Sequence, residues 1–195
     1  MKEFIENYIA VRAVRVKSLL PYVGLPFICG ALFISTRGSA DAFSLLLLEI
    51  LVAISYVAAI IDLRTKRISN VIILALLAAW VSVMAPKLFL DTEKALAMLI
   101  DAAKGSALGG GLFLLVYLVS RKGIGGGDVK YMFAAGLYLG LDGTIPSILI
   151  GSLLTTLTGL GLILFKKLKR NDSMPLIPFL YIGILTTVFL QSWYT

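Results

Sequence analysis

FSLLLLEILVAISYVAAII, residues 43–61, decides the class of the fold. The stretch holds a single charge, Glu49, and as a helix it rises about 28 Å, close to the roughly 30 Å hydrocarbon core of a bilayer. Comparable apolar segments occupy residues 19–36, 69–85, 96–119, 129–141, 144–165 and 175–193. They are helices by length, because only helices and closed barrels satisfy their backbone groups in lipid. The chain is therefore predicted to be all-α, a polytopic transmembrane helix bundle of about six to seven membrane segments. Composition agrees: of 195 residues 59% are apolar and 15% charged, with mean hydropathy +0.95, more apolar sequence than one water-soluble core would bury. No repeat or low-complexity tract divides the chain, so residues 1–195 read as a single membrane domain.

The net charge of +7 does not point to nucleic acid. Lys and Arg lie in short clusters between apolar runs rather than along one polar face, which suits anionic lipid headgroups. The clusters around Arg12, Arg15 and Lys17, around Arg64, Lys66 and Arg67, around Arg121, Lys122 and Lys130, and around Lys166, Lys167, Lys169 and Arg170 alternate with loops holding only Arg37, or Lys87 and Lys94. The positive-inside rule puts the N-terminus and the loops after the second, fourth and sixth segments in the cytoplasm, in a multi-pass cell-membrane protein. Asp62 and Asp128 then share the cytoplasmic face. Residues 1–18 place Phe4, Ile5, Tyr8, Ile9, Ala13 and Val16 near one helical face beside basic residues, as an interfacial helix does.

Between Asp128 and Leu141 the chain rises only about 21 Å, too little for the hydrocarbon core. Either the bilayer thins there, Asp128 is recessed, or the segment and the turn at Gly140, Asp142, Gly143 and Pro146 form a re-entrant hairpin. Each version returns the chain to the cytoplasm near Lys166.

Histidine is absent, which removes Ser-His-Asp triads, Cys-His dyads and HExxH zinc sites. The one cysteine, Cys29, lies in an apolar run and offers no disulfide and no thiolate zinc site. No metal and no cofactor are expected, and acid or base chemistry falls to carboxylates, Lys or Tyr.

Two carboxylates stand out. In IDLRTKRISN (61–70), Asp62 directly follows an almost uninterrupted apolar helix, where ionisation is costly. Read alone it is equally an interfacial residue neutralised by Arg64, Lys66 or Arg67. In GIGGGDVK (123–130), Asp128 ends a glycine-rich stretch. That stretch lacks the GxxxxGK[ST] order of a phosphate loop and sets an acid where the anion would be held, so it better suits an extended peptide lying beside a carboxylate. Two carboxylates brought close enough to share a proton divide their roles. The ionised one activates water and the protonated one polarises a peptide carbonyl, with no metal or covalent adduct.

DLRTKRISN (62–70) and GGGDVK (125–130) resemble the two signatures of the type IV prepilin peptidase family, a group of GxGD intramembrane aspartic peptidases that includes the archaeal preflagellin peptidases. MPLIPFL (174–180) resembles the proline-bearing entrance to that family's last helix, and the likeness covers roughly residues 43–193. The resemblance implies an aspartic endopeptidase that removes the short leader of prepilin-like or preflagellin-like precursors at the cytoplasmic face. It implies catalytic roles for Asp62 and Asp128. Gly125, Gly127 and Lys130 support the second motif, Lys130 by tuning Asp128 or meeting a lipid phosphate. Ser69 stands where many members have Pro, which bears on loop geometry. The cysteine-bearing insert of bifunctional members is missing, which implies the single-domain form without N-methylation.

The competing reading is a small ion- or proton-coupled carrier using the same carboxylates. Against it stand the lack of a visible repeat and the position of both acids at one face. Among other polar residues, Glu49 and Lys104, at similar depth near the outer side, are expected to pair across helices, with snorkelling or a local Lys104 to Asp101 pair as the alternative. Tyr117, Tyr131, Trp80, Trp193 and Tyr194 read as interfacial anchors. Gly105, Gly109, Gly110, Gly111, Gly151, Gly159 and Gly161 read as close-packing positions.

Overall fold

A computed structural model describes residues 24–36, 42–120, 124–166 and 174–194, with side chains at all of these except 33–36 and 191–194. The interfacial helix expected over residues 1–18 lies outside the described residues. Six helices and no strand occur among the described residues: α1 (Gly24–Thr36), α2 (Ala42–Thr65), α3 (Asn70–Leu90), α4 (Thr92–Val119), α5 (Gly126–Leu164) and α6 (Ile177–Tyr194). Four of them, α2 to α5, are long and apolar enough to cross a membrane, and the apolar part of α6 is shorter. The chain is an all-α membrane bundle.

Its centre is α2, which packs against α1, α3, α5 and α6. Leu51, Val52, Ala58 and Ala59 of α2 join Leu76 of α3 and Leu180, Ile184 and Val188 of α6 in one apolar core. Large side chains such as Phe89, Leu118 and Leu164 remain exposed on the outside, as they must be where lipid is the solvent.

Helices α3 and α4 meet at one residue. Sequence placed a polar connector over 86–95, but the helix continues through Pro86 and Lys87 to Leu90, and Asp91 alone joins it to α4. Lys87 tolerates this because its side chain is buried, with its ammonium 5.2 Å from the centroid of the Phe43 ring. The Lys94 N–H donates to Asp91 Oδ1 at 3.3 Å and the Lys94 ammonium pairs with Oδ2 at 3.0 Å. These bonds hold the Asp91 carboxyl below the usual carboxylate range.

The element that positions the site is α5, which is two arms rather than one rod. Gly140 has φ 62 and ψ −170, a conformation that excludes it from the helix on either side. A point beside Gly109 of α4 lies within 3.2 Å of both the Met132 carbonyl oxygen and the Thr144 side chain. Twelve residues of straight helix would hold those groups about 18 Å apart, so the chain doubles back at Gly140. The first arm (126–139) leaves the Asp62 end of the bundle. The second (141–164) runs back beside α6, with Gly151 against Leu180 and Gly159 against Met174.

The apex stops inside the bundle. Tyr138 donates its hydroxyl proton to the carbonyl of Leu76, and the Trp80 indole N–H donates to the carbonyl of Leu137 at 3.0 Å. Leu76 and Trp80 stand about 9 and 15 Å along α3 from Asn70, well short of its far end. Of the three readings of the short segment, the re-entrant hairpin is the one the fold adopts.

Small residues let the first arm lie backbone to backbone on α4. A Cβ at Gly105 would overlap the carbonyl oxygens of Gly136 and Gly140, and one at Gly110 would overlap the Phe133 ring. Ser106 reinforces the contact by donating to the Phe133 carbonyl at 2.8 Å. The close-packing reading therefore holds at Gly105, Gly109, Gly110, Gly151 and Gly159. It fails at Gly111 and Gly161, where a Cβ would meet nothing within 4 Å.

Three further expectations change. Tyr131 is fully buried and donates to Ser55 Oγ at 2.7 Å, and Trp80 holds the hairpin, so neither is an interfacial anchor. Glu49 lies toward Cys29 of α1 instead of pairing with Lys104, which is exposed. Asp101 is engaged by the backbone of Leu141, as described below.

Candidate active site

Asp62 sits in the last turn of α2, held there by a closing sequence with its own capping. Thr65 donates its hydroxyl to the Ile61 carbonyl at 2.9 Å, and Lys66, at φ 52, ends the helix while its N–H donates to the Asp62 carbonyl at 2.8 Å. Only 3% of Asp62 is exposed. A carboxylate so buried needs donors, and they come from a distant part of the chain. The Ile177 N–H donates to Asp62 Oδ2 at 3.0 Å, and the Leu176 backbone also reaches the carboxylate. Pro175 and Pro178 flank these two amides and cannot donate, so Leu176 and Ile177 present the free N–H groups at the start of α6, where a helix favours negative charge.

Asp128 occupies the third position of α5. Gly125, just before the helix, is extended, and its N–H donates to Asp128 Oδ2 at 3.0 Å, the backward half of a capping box. Asp128 is partly exposed where Asp62 is buried.

The two motifs meet. A Cβ at Gly127 would lie 3.3 Å from Ile68, so a glycine there lets the α5 N-terminus close onto the loop that follows Asp62. Lys130 Nζ donates to Asn70 Oδ1 at 3.3 Å, tying the second motif to the first. These two contacts bring the ends of α2 and α5 that carry Asp62 and Asp128 to one junction. Deeper in the bundle, the Tyr131 to Ser55 hydrogen bond joins the same two helices.

Ser69 settles the loop question raised by its place in the first motif. It N-caps α3, accepting the Val71 N–H at 3.3 Å, with φ −72 and ψ 137. That φ is also the one a proline ring imposes, so the backbone shape is the same with either residue. Ser69→Ala keeps the shape and loses the cap, which should lower stability by about 1 kcal/mol in a thermal melt of the detergent-solubilised protein.

Each residue proposed from sequence is accounted for. Asp62, Asp128, Gly125, Gly127 and Lys130 all fall at one end of the bundle, and Lys130 serves as a tie between motifs. The contribution of the Leu176 and Ile177 amides was missed. The signal was present in two prolines spaced so as to leave two donors ahead of an apolar helix, but nothing in the sequence said which carboxylate they would face. No cluster of three or more potential metal ligands occurs among the described residues.

Residues 49–160, more than half of the chain, match the model of the type IV leader peptidase family. The chain belongs to the type IV leader peptidase family. The matched stretch contains both aspartate motifs of this leader peptidase relative and ends before its proline motif. A prepilin leader peptidase/N-methyltransferase of Xanthomonas campestris pv. campestris is 32% identical over 126 residues, covering 63% of this chain and 42% of the relative. A protein of the same name from Escherichia coli K12 is 29% identical over 142 residues, covering 69% of this chain and 58% of the relative. The chain thus spans about half the length of the curated relatives it matches. No solved structure is a significant match.

Proposed function

We propose that the chain is an intramembrane aspartic endopeptidase that removes the leader of a prepilin-like or preflagellin-like precursor at the cytoplasmic face of the cell membrane. The observation that carries this reading is the convergence of the helix ends that bear Asp62 and Asp128, from helices 2 and 5, where Gly127 closes onto Ile68 and Lys130 bonds Asn70 at one end of a membrane bundle. Family membership and the name shared by both relatives support the substrate class.

The hydrogen bonds divide the labour. Asp62 accepts the Ile177 N–H at a helix start, a donor that would hold a carboxylate oriented toward a water, so we assign it the role of the base that takes a proton from that water. Asp128 carries the shared proton and donates it toward the scissile carbonyl oxygen. The attacking water adds to the carbonyl carbon, and the C–N bond breaks as a proton passes to the leaving nitrogen. The carboxyl product leaves with the leader. Gly125 and Gly126 are exposed and present no side chain, which leaves room for an unwound peptide backbone beside Asp128.

The test is purified protein in liposomes with a synthetic precursor carrying a short basic leader ahead of an apolar helix, followed by mass spectrometry. One cut immediately before the apolar segment is expected. An intact precursor together with solute-dependent ion flux through the same liposomes would favour the carrier reading and refute this one.

A further inference from the structure

The reversal at Gly140 starts a helix in the interior of a membrane bundle. The first N–H groups of a helix have no partner within their own turn, and hydrocarbon supplies none. Leu141 opens the second arm, and its N–H donates to Asp101 Oδ1 at 3.1 Å. Asp101 belongs to α4, so it caps the second arm from another helix. Its carboxylate lies against Gly140 and leaves no room there for a Cβ, while the Thr144 hydroxyl donates to the Gly140 carbonyl at 2.6 Å. Beyond the apex lies a cavity of about 270 Å³ lined by Asp101, Trp80, Met84, Met98 and Tyr138 among others. The apex is thus not backed by solid packing on that side, and its height depends on what grips it.

From this we propose, resting on the peptidase reading above, that Asp101 is a positioning residue: by capping Leu141 it fixes the height of the hairpin apex and thereby the height of Asp128 beside Asp62. The link is mechanical. Asp128 stands about 18 Å from the apex along one unbroken helical arm. That arm lies backbone to backbone on α4 at Gly105 and Gly136, the same helix that carries Asp101. A slip of the apex along α4 displaces Asp128 by a similar amount.

The experiment is steady-state cleavage of the precursor by wild type, Asp101→Ala, Asp101→Asn, Leu141→Pro and the Asp101→Ala/Leu141→Pro double variant. Asp101→Ala should lower kcat about tenfold to a hundredfold and leave KM within about threefold, as a displaced catalytic group does. Asp101→Asn keeps an oxygen acceptor and should restore kcat to within about threefold of wild type. Leu141→Pro removes the donor at a first-turn position where proline is accepted, and in that background Asp101→Ala should cost nothing more. If Asp101→Ala alone does not fold, the double variant should fold and cleave like Leu141→Pro, and an unfolded double variant would overturn the proposal. So would a wild-type kcat in Asp101→Ala, an Asn variant as slow as the Ala variant, or an equal loss in both backgrounds. A wild-type chain that leaves the precursor intact defeats the peptidase reading and this inference together. The preceding outcomes, obtained with a cleaving wild type, defeat this inference alone.

Discussion

Replacing Asp128 or Asp62 by asparagine should lower the rate of precursor cleavage by about a thousandfold, the middle to upper part of the range for loss of a general acid or base. Asparagine is close to isosteric and retains an oxygen to accept the Ile177 or Gly125 N–H, so the loop geometry at Asp62 and the half capping box at Asp128 survive. What is lost is the ability to exchange a proton. The effect should therefore appear in kcat, with KM for the precursor nearly unchanged, because in the proposed function the precursor backbone lies on the exposed glycines rather than on the acids. Single-turnover cleavage monitored by mass spectrometry separates the two quantities. A raised KM with kcat unchanged would mean that the aspartates hold the precursor and something else cuts it.

Alanine at Gly105 and alanine at Gly111 should move stability in opposite directions. Both glycines lie inside α4, where alanine is favoured by about 1 kcal/mol through helix propensity. Gly111 has nothing within 4 Å of a new Cβ, so that preference is felt in full and the melting temperature rises. At Gly105 the new methyl group meets the backbone carbonyls of Gly136 and Gly140, which cannot rotate aside as a side chain would. Overpacking of this kind costs about 1–3 kcal/mol, and forcing α4 away from the hairpin also stretches the Ser106 and Asp101 hydrogen bonds. The clash therefore outweighs the propensity gain. Gly105→Ala should be destabilising and lose cleavage activity with the displaced arm, while Gly111→Ala should retain it. Thermal melts of both variants in one detergent check the signs directly.

Much of this architecture was legible from residue patterns. Length and hydropathy gave the helices, and Gly140 with Asp142, Gly143 and Pro146 marked a turn. The two aspartate motifs gave the candidate site, and they gave the resemblance that the family match bears out. What escaped was information carried by depth. The polar run from Lys87 to Lys94 looks like a loop, yet it stays helical on both sides of Asp91 because Lys87 is tucked over Phe43. Tyr131 looks like an interfacial anchor because it follows Asp128 closely. The first arm is instead enclosed by its neighbours, with Tyr131, Met132, Ala134 and Ala135 all inaccessible, which no local pattern reveals. The Glu49 to Lys104 pairing was inferred from similar depth along two helices. The rotation of α2 toward α1, which sends Glu49 to Cys29, is set by packing of the whole bundle.

The central claim is that Asp62 and Asp128 act as one catalytic unit, and a double-mutant comparison of cleavage rates tests it most directly. Residues that work as a unit are strongly non-additive, since removing either one already abolishes the shared step. Asp62→Asn, Asp128→Asn and the double variant should all fall to the same residual rate. A double variant slower than either single by the product of their separate losses, or a single variant that cleaves at the wild-type rate, would contradict it.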